Sequence, residues 1–152
     1  MKRLLACVFI VVFAGVCAQA WAGPTEEVLQ IAGPRAKALE DGNLDAYMAA
    51  FADNAVFQSA LSPFRIEGKE AIRGYFAEVL QVYPRRRLLP RQSSVRAYND
   101  DLVIQNGYSA IYLTNQKGEV STHALRTSVT WAKIGGRWQI VDQHGSLLPG
   151  TQ

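Results

Sequence analysis

Asp142 and His144 have the residue types of a general acid–base site. They lie two residues apart in a predicted strand, so the carboxylate could orient or polarise the imidazole for proton transfer. Arg126 lies in the preceding predicted strand, and its guanidinium could meet the pair across the ladder. The same three residues also fit a structural network on an outer sheet face, within a dimer interface. We favour the structural interpretation and keep the catalytic one open.

His123 and Arg35 are the other residues with chemical potential. His123 could act as a general base inside a cavity. Alternatively, it lies in water at a strand end, because its neighbours Ser121 and Thr122 are typical of a turn. Arg35 falls on the apolar stripe of a predicted helix. It is either a cation for a carboxylate or enolate ligand, or an arginine that snorkels past the break at Gly33-Pro34.

The elements that must position these residues fall into two groups. Apolar residues recur at helical spacing near residues 26–41, 44–51 and 70–83. Strand patterns follow at 56–59, 87–98, 101–114, 120–133 and 137–147. The last two strands flank Gly135-Gly136 and form a long antiparallel hairpin. Helices followed by meander strands predict an α+β fold with the helices on one face of an antiparallel sheet.

The N-terminus is typical of a secretory signal peptide. Lys2-Arg3 precedes an apolar run from Leu4 to Ala14, and small-x-small cleavage sites end at Ala20 and Ala22. We predict a signal peptide over residues 1–22, a domain over 23–150, and export to the periplasm or the medium. The alternative is an uncleaved anchor, but the run is short beside the roughly 20 residues of a bilayer span. We therefore expect no stable membrane anchor after cleavage.

Composition limits cofactors and partners. Both cysteines, Cys7 and Cys17, lie in the predicted signal peptide, so the mature chain should have no disulfide. Removing Lys2 and Arg3 leaves 14 of 16 basic residues against 13 acidic ones, so the net charge falls from +3 to +1. We therefore expect no nucleic-acid partner. With two histidines and no mature cysteine, we also expect no metal and no cofactor.

Four segments together resemble the nuclear transport factor two (NTF2) superfamily. They are Asp41–Tyr47 with Phe51–Phe57, Glu67–Ile72, Gly136–Val141 and the ending Asp142–Pro149. The chain is most similar to the SnoaL-like and calcium/calmodulin-dependent kinase association-domain branch. The resemblance implies three helices closing a curved antiparallel sheet into a cystatin-like cone, an apolar pocket inside it and a homodimer. It does not imply one activity.

Strand alternation predicts which hairpin residues face the cone. In the first arm, the more apolar set should face inward: His123, Leu125, Thr127, Val129 and Trp131. In the second arm, composition leaves the facing open, and the resemblance places Val141, Gln143 and Gly145 inward. A single β-bulge would reverse every assignment beyond it.

The resemblance also shows which machinery is missing. Where ketosteroid isomerases have a general base, this chain has Ser59; their oxyanion-hole tyrosine corresponds to about Arg35, and their protonated aspartate to Thr127 or Ser128. Isomerase activity of that type is therefore excluded. The pocket arginines with which association domains bind carboxylates correspond to Ser109, Val129 and Gly145.

The leading hypothesis is an exported SnoaL-like domain that binds a small, mostly apolar molecule in its cone. The predicted ligand-binding residues are Arg35, Tyr47, Phe57, Ser59, Tyr75, Thr127, Trp131 and Gln143. A second hypothesis is a proton-transfer enzyme, namely a cyclase, isomerase or dehydratase using His144 and Asp142 or His123. A third is a non-catalytic dimerisation module.

Overall fold

Three helices and a six-stranded sheet form the computed structural model, which describes residues 22–148. The helices are α1 (Pro24–Asp41), α2 (Leu44–Met48) and α3 (Lys69–Val82). The strands are β1 (Phe51–Gln58), β2 (Arg65–Glu67), β3 (Arg85–Asn99), β4 (Leu102–Thr114), β5 (Val120–Ile134) and β6 (Arg137–Leu147). The predicted α+β cone is confirmed. Apart from Ala22, the predicted signal peptide lies outside the described residues.

α1 runs continuously from Pro24 to Asp41 with Pro34 inside it, so the helix does not end at the predicted Gly33-Pro34 break. Acidic Glu26 and Glu27 occupy the first turn, where the positive end of the helix dipole stabilises carboxylates. Gly42 ends the helix at φ 75°, a left-handed conformation that a residue with a Cβ rarely adopts. No helix within residues 22–148 is long and apolar enough to cross a lipid bilayer.

The sheet has the strand order β2-β1-β6-β5-β4-β3. β1 pairs with β6 in parallel, and the neighbouring pairs are otherwise antiparallel. The long strands β3 to β6 form a meander whose inner face packs against the helices. Gly107 on this face is tightly approached by β3, since an added Cβ would lie 3.1 Å from the Gln92 carbonyl oxygen.

A β-bulge at Val141 sets the facing of β6. Trp131 pairs with Ile140, but the preceding Thr130 pairs with Asp142, so Val141 is one extra residue on β6. Before the bulge, Trp138 and Ile140 are buried beneath the helices. Beyond it, Gln143 and Gly145 occupy the inner face, opposite Val129 and Thr127. Asp142 and His144 consequently lie on the outer face.

The core lies between the helices and one half of the inner sheet face. Its largest fully buried side chains include Trp131, Phe51, Met48, Ile72 and Ile140. Truncation of such a buried aromatic residue typically destabilises a domain by about 3–5 kcal/mol. This packed half leaves the remainder of the inner face free to form a cavity.

Candidate functional site: a largely apolar cavity with one buried cation

A cavity of about 410 Å³ lies between α1, α3 and the inner sheet face. This volume is within the range of small-molecule sites, about 300–1,000 Å³. The wall is mostly apolar, with Leu39 from α1, Val79 from α3, and Leu88, Ile111 and Leu125 from the strands. The cavity can therefore exclude water from an apolar ligand of modest size.

Arg35 extends from α1 into the wall of this cavity. Its Nη2 donates hydrogen bonds to the Tyr47 hydroxyl at 2.8 Å and to Gln143 Oε1 at 2.6 Å. Its Cζ lies 4.3 Å from the Tyr47 ring centroid and 4.8 Å from that of Phe51, so both rings stabilise the cation. Its Nε is shielded from solvent and has no hydrogen-bond partner within residues 22–148.

The Arg35 guanidinium has no acidic partner among the described residues. The ion pairs found within residues 22–148 join Lys37 to Asp41, Arg65 to Glu67, Arg73 to Asp45 and Lys133 to Glu27. Burial disfavours the charged form of both groups. It therefore lowers the pKa of Arg35, and it raises the pKa of Tyr47 despite the nearby positive charge. Since arginine stays protonated in proteins, a positive charge is held in the cavity wall by neutral acceptors only.

Ser59 and Tyr75 form a second polar pair in the wall. Their hydroxyl oxygens lie 2.5 Å apart, and Ser59 Oγ also accepts the Leu61 amide at 3.0 Å. Burial raises the pKa of Tyr75, which keeps the phenol neutral. One hydroxyl donates to the other, and the pair forms a neutral polar spot in an apolar wall.

His123 lies in the cavity wall rather than in water at a strand end. It is opposite Ile111 in the β4–β5 register, and its Nε2 is 3.2 Å from Ser121 Oγ. Its Nδ1 is shielded from solvent and has no hydrogen-bond partner in the described part of the chain. The inward facing that alternation predicted for His123 thus agrees with the structure.

Most of the predicted ligand-binding residues do line the cavity, while Trp131 does not. Those in the wall are Arg35, Tyr47, Phe57, Ser59, Tyr75, Thr127 and Gln143. Trp131 is fully buried in the core, where its Nε1 donates a hydrogen bond to Gln105 Oε1 at 3.2 Å. Gln105, which the sequence analysis missed, lines the cavity in its place.

Asp142 and His144 face away from the cavity. They lie opposite Thr130 and Ser128 on the outer face of β5, and neither lines the cavity. A catalytic role on a ligand inside the cone is therefore not supported for this pair. The reason is the Val141 bulge, which turns Gln143 inward and its two neighbours outward.

The expected contact of Arg126 with this pair is also absent. Within residues 22–148, no hydrogen bond or ion pair joins Arg126 to Asp142 or His144. The register places Arg126 opposite Ser146, two residues beyond His144. The outer polar chain instead runs from Arg96 to Asn106 at 3.0 Å and from Asn106 to Ser128 at 2.8 Å.

Arg86 is a second inward-facing arginine that the sequence analysis did not single out. It lines the cavity, whereas Arg85 and Arg87 are exposed. Its Nε and Nη2 donate to the carbonyls of Leu39 and Glu40 at 3.0 and 3.1 Å, and its Nη1 donates to the Tyr83 carbonyl. Because these donors satisfy the C-terminal end of α1, Arg86 is a helix cap. Strand alternation applied to the three arginines could have found it.

No group of three or more acidic, histidine or cysteine side chains that could hold a metal ion occurs in the described part of the chain.

A curved sheet that encloses a cavity beneath N-terminal helices defines a cone of the NTF2-like, cystatin-like class. The chain belongs to the calcium/calmodulin dependent protein kinase II association domain family, whose sequence profile matches residues 24–149. No curated protein shows significant similarity to it.

Solved structures share the fold. A Xanthomonas campestris protein provisionally assigned to the same association domain is 25% identical, with a TM-score of 0.74 over 85% of this chain and 94% of the other. An NTF2-like protein of unknown function from Pseudomonas putida is 20% identical, with a TM-score of 0.71 over 80% and 84%. A Catenulispora acidiphila protein in complex with S-DNPA is 21% identical, with a TM-score of 0.66 over 80% and 90%.

Proposed function

We propose that this protein binds a small carboxylate with an apolar body inside its cone, with Arg35 as the anion anchor. The observation that supports the proposal is a guanidinium in the cavity wall without an acidic partner among the described residues. A buried ion without a counter-ion is destabilising by several kcal/mol. A carboxylate in the cavity would supply the missing charge through charge-assisted hydrogen bonds.

The surroundings of Arg35 fit an anion better than a neutral ligand. Tyr47 and Phe51 hold the guanidinium in place, and Gln143 accepts a hydrogen bond from it without neutralising the charge. The rest of the wall offers apolar contact for the body of the ligand. One structural neighbour was solved with a small molecule, S-DNPA, which agrees with a ligand-binding use of this fold.

Binding is favoured over proton-transfer catalysis. Of the three candidate catalytic residues, His123 alone lines the cavity. It contacts the Ser121 hydroxyl and no carboxylate within residues 22–148. A general base without an orienting or polarising partner is a weak catalyst. The cyclase, isomerase or dehydratase hypothesis therefore has less support than a binding role.

Calorimetric titration with matched ligands tests the proposal. Decanoate, pentanoate and phenylacetate would be compared with their neutral amides on the mature chain. We expect the acids to bind at least tenfold more tightly than the amides, because a hydrogen bond to a charged group is worth about 1.5–3 kcal/mol. Equal affinity for acids and amides would contradict an anion anchor.

The Arg35→Gln variant gives the second half of this test. It should weaken carboxylate binding about 10- to 100-fold and leave amide binding unchanged. Arg87→Gln removes the same charge from an exposed position and should leave both affinities unchanged. Circular dichroism would verify that both variants fold. Unaltered carboxylate affinity in a folded Arg35→Gln variant would overturn the assignment of Arg35.

We further propose that the mature protein is an exported homodimer. Export is inferred from the N-terminal sequence, and oligomerisation from membership of an association-domain family. The outer face of β4 to β6 is the surface we assign to the dimer contact, because the helices leave it uncovered. Mass spectrometry of the purified protein would give the mature N-terminus. Light scattering that shows a monomer at micromolar concentration would contradict the dimer.

A further inference from the structure

We infer that the ligand has two polar ends, a carboxylate held at Arg35 and a second hydrogen-bonding group held at His123, joined by an apolar spacer. This inference rests on the proposed function and specifies the ligand class of the same cavity.

The inference is based on two buried polar atoms that have no hydrogen-bond partner and belong to residues of the same cavity wall. Within residues 22–148, the buried side-chain nitrogens and oxygens without a hydrogen-bond partner are Arg35 Nε and His123 Nδ1. Both residues line the same cavity. Buried polar atoms in native proteins are nearly always paired, so each exception needs a reason. A ligand with a polar group at either end would account for both.

The groups around His123 cannot satisfy its free nitrogen. Ile111 lies opposite on β4, Leu125 follows on the same face of β5, and Leu113 also lines this end of the cavity. The Ser121 hydroxyl contacts Nε2 on the other side of the ring. Rotation about the broad outer torsion of histidine would turn Nδ1 toward a ligand without moving the strand, and it would exchange the Nε2 contact with Ser121 for the contact with the ligand.

The two polar positions are far apart along the cavity. Gln143, which accepts a hydrogen bond from Arg35, lies opposite Val129, and His123 lies six residues before Val129 on β5. At about 3.3 Å per residue, the two backbone positions are roughly 20 Å apart. After allowing for side chains reaching inward, the two polar ends of the ligand must be roughly 10 Å apart or more.

The wall around and between these two positions is mostly apolar and suits a hydrocarbon spacer. Leu125 lies on β5 between them, Ile111 and Leu88 lie level with His123, and Val79 lines the cavity from α3. Ser109 and Thr127 add two hydroxyl groups to the intervening rows. The Ser59 and Tyr75 hydroxyls are hydrogen-bonded to each other, so this neutral pair does not require a charged ligand group. The class we assign is therefore a medium-chain carboxylic acid with a hydroxyl, carbonyl or second carboxyl group at its far end.

The test compares decanoate with ω-hydroxydecanoate by calorimetry. We expect the hydroxy acid to bind about three- to tenfold more tightly to the wild-type chain, as one added hydrogen bond would produce. ω-Hydroxypentanoate is too short to span both positions and should gain nothing over pentanoate. His123→Leu should remove the advantage of the hydroxy acid over decanoate, measured as the ratio of the two dissociation constants in the same variant.

Matched variants separate the possible outcomes. His144→Leu makes the same replacement on the outer face and should keep the advantage of the hydroxy acid. If the wild type does not prefer ω-hydroxydecanoate, or if the preference survives in His123→Leu, the two-ended ligand is overturned while the carboxylate anchor stands. If neither acid binds more tightly than its amide, both proposals fail. The wild-type comparison remains decisive even if His123→Leu does not fold.

Discussion

Arg35 on α1 donates a hydrogen bond of 2.6 Å to Gln143 on β6, across 108 residues of sequence. This contact fixes the guanidinium against the cavity wall, because the acceptor is held in a strand rather than in a loop. It also leaves the charge of Arg35 intact, since an amide oxygen accepts a hydrogen bond without supplying a negative charge.

Replacing Gln143 with glutamate should provide an internal counter-ion. In Gln143→Glu, the new carboxylate would pair with Arg35 and compete with the ligand, so carboxylate affinity should fall at least tenfold in calorimetry. The melting temperature of the free protein should stay the same or rise, because a partnerless buried charge becomes paired. Gln139→Glu adds the same charge on the outer face and should not alter affinity. Undiminished binding by Gln143→Glu would show that the anion sits elsewhere.

Filling the cavity from Gly145 should abolish ligand binding without disrupting the sheet. An added Cβ there would meet its nearest heavy atoms at 3.9 Å, which is ordinary contact, and Gly145 lines the cavity. We therefore expect Gly145→Leu to fold and to bind no carboxylate detectably. Gly74→Leu is the size-matched control, since nothing lies within 4 Å of its added Cβ on α3. Wild-type affinity in Gly145→Leu would place the ligand outside this cavity.

Glu27 should contribute to stability only above the acidic pH range. Its carboxylate accepts hydrogen bonds from Lys133 at 2.8 Å and from Trp138 at 2.5 Å, and these lower its pKa below the ordinary 4.5. A lowered folded-state pKa adds stability above the unfolded-state value, and this is lost as the pH falls through the folded-state pKa.

Thermal melts from neutral to acidic pH test this sign. Glu27→Gln should melt below the wild type at neutral pH, and the difference should shrink as the pH falls through the carboxyl range. Glu26→Gln is the control, because Glu26 is exposed and one residue away. If the melting temperature of Glu27→Gln stays below that of the wild type by the same amount at every pH, the carboxylate charge does not contribute to stability.

Removing the Arg86 cap should destabilise the fold. Arg86→Ala leaves the carbonyls of Leu39, Glu40 and Tyr83 without this donor. We expect the free energy of unfolding to fall by about 1–3 kcal/mol in urea titration. Arg87→Ala, at an exposed site, should change it by less than about 0.5 kcal/mol. Equal effects of the two substitutions would argue against the capping role.

The sequence by itself determined the features that depend on local periodicity. The 3.6-residue spacing located the helices, and alternation along β5 placed His123, Thr127 and Val129 on the inner face because side-chain direction in a strand repeats every two residues. The family resemblance then supplied the cone, and the structure has that fold.

Tertiary structure decided the identity of the site. Composition left the facing of β6 open and the family resemblance placed Gln143 and Gly145 inward; the Val141 bulge is the physical reason that these two residues line the cavity while Asp142 and His144 lie outside it. No local pattern in β6 reveals that extra residue. The missing counter-ion of Arg35 was equally hidden, because it depends on which distant residues surround the guanidinium. Periodicity is a property of neighbours in sequence, whereas burial and pairing are properties of neighbours in space, and only the folded chain specifies the latter.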